Sequence, residues 1–205
     1  RLGLVTGAGV ALSEEATLTL AAFIVLSQTP GTVVTNVSTT RAIDVVAARH
    51  GSEVVRTPVG QSFISEAMLQ HSAVIGGEGN GGVALPRVLM SHDAAAAQGL
   101  ILEHLARTGL SLEEAIEGLP SYPVAKHDVP VKPSALYSVL QGFREQVDAD
   151  QPTADTTDGI KISWPDGWVH VRASQTESMI RIIAEADSMT RARDLLDWAR
   201  DKLKA

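Results

Sequence analysis

Arg172-Ala-Ser-Gln-Thr-Glu177, continuing as Ser178-Met-Ile-Arg181-Ile-Ile-Ala-Glu185, is the stretch from which the rest of the chain is read. It sets an arginine, two hydroxyls and a second arginine within ten residues. A guanidinium grips two oxygens of one phosphate as a fork. Ser174 and Thr176 can each donate a hydrogen bond, and turn N–H groups can add more. The same letters hold a capping box, Ser174-x-x-Glu177, in which serine caps an N-terminus and glutamate reaches back. Ile180, Ile182, Ala184 and Ala186 alternate as in a strand, while Met179, Ile180, Ile183 and Ala186 share a helix face, so periodicity leaves the element open.

Upstream, Ile160-Lys-Ile-Ser-Trp, the turn Pro165-Asp-Gly and Trp168-Val-His-Val-Arg172 read as a hairpin that delivers Arg172 at a strand end. Trp164 and Trp168 are expected to pack across it, and His170 to be structural. Helices are expected over 134–147 and 190–203. Before them, Leu119 to Pro133 carries four prolines in fifteen residues, the mark of a boundary with an extended connection.

The first 120 residues alternate strands and helices. Residues 1–6 read as a short buried strand, and Ser13 opens a helix through about Leu26. Thr32–Val37, Glu53–Thr57 and Ala73–Gly76 read as strands. Helices through His50, over 62–71 and over 93–107 lie between and after them, with Asp93 and Ser111 as caps. This rhythm predicts helices packed on a largely parallel sheet. After the last strand comes Gly76-Gly-Glu78-Gly-Asn80-Gly-Gly82. Its glycines permit close backbone approach, either to a ligand or merely in turns. Glu78 and Asn80, its only functional side chains, suit sugar hydroxyls: one accepts, the other accepts and donates.

With 205 residues, 44% of them hydrophobic, the chain has enough apolar material for one large or two small cores. A net charge of −7 argues against general nucleic-acid binding or an anionic membrane surface, though not against a local phosphate pocket. Zero cysteines exclude disulfides and thiolate chemistry. No apolar run approaches a membrane span, so a soluble cytoplasmic protein is expected. Val5-Thr-Gly-Ala-Gly-Val lacks the third glycine of a dinucleotide fingerprint, and the strand after it ends without the acidic ribose ligand.

Together these motifs resemble the α-D-phosphohexomutases, the family of phosphoglucomutase, phosphomannomutase and phosphoglucosamine mutase. Arg-x-Ser-x-Thr-Glu and the apolar run after it are similar to the phosphate-binding loop of the family's fourth domain, which joins two strands. Gln175 stands where asparagine or glycine is usual, and Ser178 where proline is. Gly-Glu78-x-Asn80-Gly-Gly resembles the sugar-specificity loop of the third domain, whose commoner form has serine at Asn80. Asn36-Val-Ser-Thr-Thr-Arg41-Ala-Ile and Arg56-Thr-Pro-Val-Gly60-Gln resemble two further junctions of that domain; neither Arg41 nor Gln61 receives a role.

The resemblance implies a three-layer α/β domain with a mixed, largely parallel sheet over 1–120. A smaller α+β domain with an antiparallel sheet and two helices would occupy 121–205. It implies a phosphoryl shift between C1 and C6 of a hexose phosphate through a phosphoserine and a hexose 1,6-bisphosphate. Glu78, Gly79, Asn80 and Gly81 would bind sugar; Arg172, Ser174, Gln175, Thr176 and Arg181 would bind phosphate. Arg1-Leu-Gly-Leu-Val resembles the end of the family's Mg²⁺-binding loop, which would place Arg1 near the transferring phosphate. The metal ligands, the catalytic serine and domains 1 and 2 would then precede Arg1, and the chain alone would bind without turning over. The alternative is a two-domain sugar-phosphate receptor without catalysis.

Overall fold

The computed structural model describes residues 1–150, 154–174 and 176–204. The chain divides into two compact units, Arg1–Ser121 and the remainder from Tyr122.

In the first unit a four-stranded sheet runs in the order β2 (Val54–Thr57), β1 (Val33–Asn36), β3 (Ile75–Glu78), β4 (Gly82–Ala84). β1 is parallel to both β2 and β3, and β3 is antiparallel to β4. Strand pleating sends alternate residues to opposite faces. Val33, Ile75 and Val83 join a core with the helices α1 (Glu15–Gln28), α2 (Ala42–Arg49), α4 (Ala94–Thr108) and α5 (Leu112–Glu117). Val34 and Ala84 face α3 (Gln61–Gln70), where they meet Ile64 and Met68. The unit is therefore a three-layer α/β sandwich with a mixed sheet. Both central strands are buried along their whole length, and their polar residues Thr35, Asn36 and Glu78 each have a hydrogen-bond partner there.

Helix ends follow local chemistry. Asp93 accepts the N–H groups of Ala95 and Ala96, and Ser111 with Glu114 forms a complete capping box. Two expectations fail here. Residues 1–6 are not a buried strand: the turn at Thr6–Gly9 folds the segment onto residues 10–12, with one bridge, Val5 to Ala11, and Val5 is 59% exposed. The glycine-rich stretch is not simply a loop either. β3 runs through Glu78 and β4 starts at Gly82, so it is a tight hairpin.

In the second unit all four strands are antiparallel, in the order β5 (Val124–Pro130), β8 (Met179–Ala186), β7 (Gly167–Ala173), β6 (Ile160–Trp164). Two helices, α6 (Leu136–Asp150) and α7 (Met189–Lys204), pack on one face. There Phe143, Val147, Leu195 and Ala199 meet Val169, Val171, Ile180 and Ile182. The proline-rich connection hides β5. A proline at its last position is tolerated because β5 is an edge strand, pairing only with β8. The expected Trp164–Trp168 contact is replaced. In this register Trp164 stacks edge-on against Trp198, while Trp168 donates its indole N–H to Glu185 at 2.9 Å.

Candidate functional site

Asn36, Thr57 and Glu78 are the last residues of β1, β2 and β3. Ligands of open α/β sheets bind beyond the carboxyl ends of such strands, and here those ends converge on one carboxylate. Glu78 Oε1 accepts from Asn36 Nδ2 at 2.6 Å and from the Gly60 N–H at 3.1 Å. Glu78 Oε2 accepts from Asn80 Nδ2 at 3.3 Å. Asn36 is itself fixed: its Oδ1 accepts from the Ser38 N–H and the Thr39 hydroxyl. Thr39 Oγ1 in turn accepts from the Gly79 N–H. The hairpin tip is therefore tied to the β1–α2 junction through polar contacts that are mostly buried.

The glycines of this tip answer to their neighbours. A Cβ at Gly79 would lie 2.1 Å from the Glu15 carboxylate, and one at Gly82 would lie 2.6 Å from His92 Nδ1. Gly81 has φ +82° and pairs its carbonyl with the Leu2 N–H. That contact brings the exposed Arg1 beside the lip.

His92 was not distinguished by the sequence. Its Nε2 lies 4.0 Å from Glu78 Oε2, buried and without a hydrogen-bond partner. Burial holds the His92 imidazole below its ordinary value, opposed by Glu78 and reinforced by Arg1. Asn36 was read only as part of a junction; its place at the end of a parallel strand is the signal that could have found it. Gln61 bonds Ser91, and Arg56 bonds the Asn36 and Thr39 carbonyls and Asp44.

In the second unit, residues 174–178 connect β7 to β8, and β8 is a strand. Ser174 Oγ accepts the N–H groups of Thr176 and Glu177 at 3.4 and 3.3 Å, and the Ser174 N–H donates to the Met179 carbonyl. Serine thus caps a strand-to-strand turn. Its oxygen accepts both N–H groups, and its O–H is still able to donate to an acceptor outside the turn. Gln175 lies outside the described residues.

Arg172 is not an exposed grip: it is 4% accessible, on the sheet face turned away from α6 and α7. Its Nε donates to Asp158 Oδ2 at 3.1 Å. Arg181 stands directly opposite in the β7–β8 register. Two cations so placed repel unless each is compensated. Arg181 is met by Glu177 at 2.9 Å and Asp128 at 3.4 Å.

His170 lies on the same face, its Nε2–H donating to the Asp158 carbonyl. Because a carbonyl only accepts, that bond selects the tautomer. Burial pushes the His170 imidazole down to about 4, against the opposing pull of Asp158. A folded value below the ordinary 6.5 favours the neutral ring in the native state. The stability this gives is whole above about pH 6.5 and is lost as pH falls toward 4, on the order of 3 kcal/mol in total. Urea unfolding of the second unit should therefore show a falling midpoint across that window, and His170→Asn should flatten the fall.

Among the described residues no cluster of histidines and carboxylates could hold a metal ion, and no helix is long and apolar enough to cross a membrane.

Comparison with known proteins places both units. Residues 13–122 match the model of phosphoglucomutase/phosphomannomutase alpha/beta/alpha domain III, and residues 131–202 match that of the phosphoglucomutase/phosphomannomutase C-terminal domain. A phosphoglucomutase/phosphomannomutase of Thermococcus kodakarensis is 37% identical over 91% of this chain and 41% of its own length. A phosphoglucomutase/phosphomannomutase family protein of Burkholderia thailandensis shares the fold, with a TM-score of 0.82 at 24% identity over 100% of this chain and 44% of its own. So does Aspergillus fumigatus N-acetylphosphoglucosamine mutase in complex with GlcNAc-6P and magnesium, with a TM-score of 0.71 at 17% identity, covering 98% of this chain and 49% of that one. The chain spans about two fifths of the length of the curated relatives it matches. With an α/β sandwich and an antiparallel α+β unit following one another in the family's own order, the chain belongs to the phosphoglucomutase/phosphomannomutase family, whose domain III and C-terminal domain it contains.

Proposed function

We propose that this chain supplies the sugar-binding and phosphate-anchoring parts of a phosphohexomutase. The enzyme would interconvert hexose 1-phosphate and hexose 6-phosphate, with glucose, mannose or glucosamine as the hexose, through a phosphoserine and a bisphosphate intermediate. The observation that carries the sugar-binding half is the Glu78 carboxylate, held from one side by Asn36 and the Gly60 N–H. That grip fixes Oε1 and leaves Oε2, beside Asn80, to accept a sugar hydroxyl.

In the C-terminal domain Arg172, the Ser174 hydroxyl and Thr176, with Gln175 and Arg181, take the phosphate that is not reacting. Arg1, beside the lip, serves the phosphate being transferred. Catalysis of this kind rests on positioning and charge compensation rather than on covalent chemistry by these residues. In the family magnesium supplies charge neutralisation at the transferring phosphoryl group. The described residues do not fit a site for it.

The test is turnover of hexose 1-phosphates by the full-length protein with Mg²⁺ and a trace of hexose 1,6-bisphosphate, set beside residues 1–205 alone. The full-length protein is expected to convert at least one hexose phosphate. The 205-residue chain is expected to bind phosphosugar without converting it, and measurable turnover by that chain would overturn the assignment of roles.

A further inference from the structure

We infer that Asp158, carried on the Asp158–Gly159 turn, is the positioning residue of Arg172. The inference rests on the reading of Arg172 as the phosphate anchor. A guanidinium has two donor edges, one made by Nε with an Nη and one made by the two Nη groups. Asp158 Oδ2 takes Nε at 3.1 Å. The edge this leaves for a bidentate grip on an anion is the distal one, and its direction is set before any ligand arrives. An arginine otherwise carries about 2 kcal/mol of rotamer entropy, which binding would have to remove.

The turn that holds Asp158 is itself locked from three sides. The Asp158 carbonyl accepts from His170, the residue two before Arg172 on β7. Gly159 has φ +69°, and a Cβ there would lie 2.4 Å from the Val171 carbonyl oxygen and 2.8 Å from Arg172 Cβ. The turn therefore lies directly on the strand it serves. Its base is closed by paired backbone bonds between Asp155 and Lys161, both 2.8 Å, and by the Thr157 N–H on Asp155 Oδ1. A carboxylate fixed this firmly against a buried arginine sets a direction. The opposite role is a competitor, a carboxylate that occupies the guanidinium and must be displaced by phosphate.

The two roles differ in sign. If Asp158 positions Arg172, Asp158→Ala in the full-length enzyme raises the KM for hexose phosphate and the inhibition constant of inorganic phosphate roughly 10- to 30-fold. Asp158→Asn, which keeps an acceptor but loses the charge, raises both roughly 3- to 10-fold, and kcat stays within about threefold in each. If Asp158 competes, both constants fall in both variants. A merely structural role lowers the melting temperature and the active fraction, which appears in kcat and leaves KM alone. Should Asp158→Ala fail to fold, Asp158→Asn decides by the same sign.

Arg172→Lys is run in parallel. If it raises KM while both Asp158 variants leave KM unchanged or lower it, the positioning role is overturned and the phosphate anchor stands. If Arg172→Lys leaves KM unchanged, the anchor reading fails and the positioning role with it.

Discussion

Arg172→Ala in the full-length protein is expected to raise the KM for hexose phosphate about a hundredfold, equivalent to about 2.7 kcal/mol. Charge-assisted hydrogen bonds of the kind a guanidinium makes to phosphate are worth about 1.5–3 kcal/mol each, so losing a fork accounts for the size. The substitution also removes the Nε donor from Asp158 Oδ2, at a site where that carboxylate is only 19% exposed. Breaking a buried pair from one side costs about 3–5 kcal/mol in stability, and partial exposure of Asp158 brings this toward the lower end. The measurement is steady-state kinetics on protein shown to be folded by thermal melting. Inorganic phosphate serves as a competing anion, so that loss of the anchor is read separately from loss of the sugar contact. An unchanged KM with a lowered melting point would make Arg172 a structural residue.

Glu78→Ala is expected to lower kcat/KM by about two to three orders of magnitude while changing the inhibition constant of inorganic phosphate by less than about twofold. Misplacing a reacting sugar by an ångström costs about a hundredfold in rate. Removing the carboxylate also strands Asn36 Nδ2 and the Gly60 N–H, the two donors that converge on Oε1. Each unsatisfied buried donor costs about 1–3 kcal/mol. Glu78→Gln should fall between alanine and wild type. Its amide oxygen can still accept those two donors, but its NH₂ then faces the donor Nδ2 of Asn80, where Oε2 was an acceptor. Equal effects of Arg172→Ala and Glu78→Ala on phosphate inhibition would undo the division of labour between the two domains.

What could be read from the letters depended on how far apart in sequence the cause lies. β1 and β3 are buried along their whole length, β2 partly, and all three are bounded by glycine, proline or cap residues, so local pattern suffices for them. β5 was missed because its evidence is pairing with β8, more than fifty residues later, and because prolines in the segment look like a linker. Arg-Leu-Gly-Leu-Val looked like a buried strand because its apolar letters are dense, yet only Leu4 among them is buried.

The same divide runs through the candidate site. Glu78 and Arg172 stand out by their own chemistry. The residues that hold them do not: Asn36 lies 42 positions from Glu78, and Asp158 lies 14 from Arg172 in a stretch that reads as ordinary polar loop. Strand register brings each pair together, and register is a property of the assembled sheet.

The crowding around the hairpin tip limits which of its positions can change. Position 79 is filled from below by the Glu15 carboxylate, position 81 by the Leu2 backbone and position 82 by the His92 ring. A side chain grafted at 79 or 82 must displace a neighbouring side chain, and one at 81 must displace backbone. Position 80 is constrained differently: Asn80 accepts the Gly82 N–H and donates to Glu78, so exchanging it costs hydrogen bonds rather than space. Selection for new sugars should therefore return changes at 80 more often than at 79 or 81, and a side chain at 82 only in exchanges where 92 loses one.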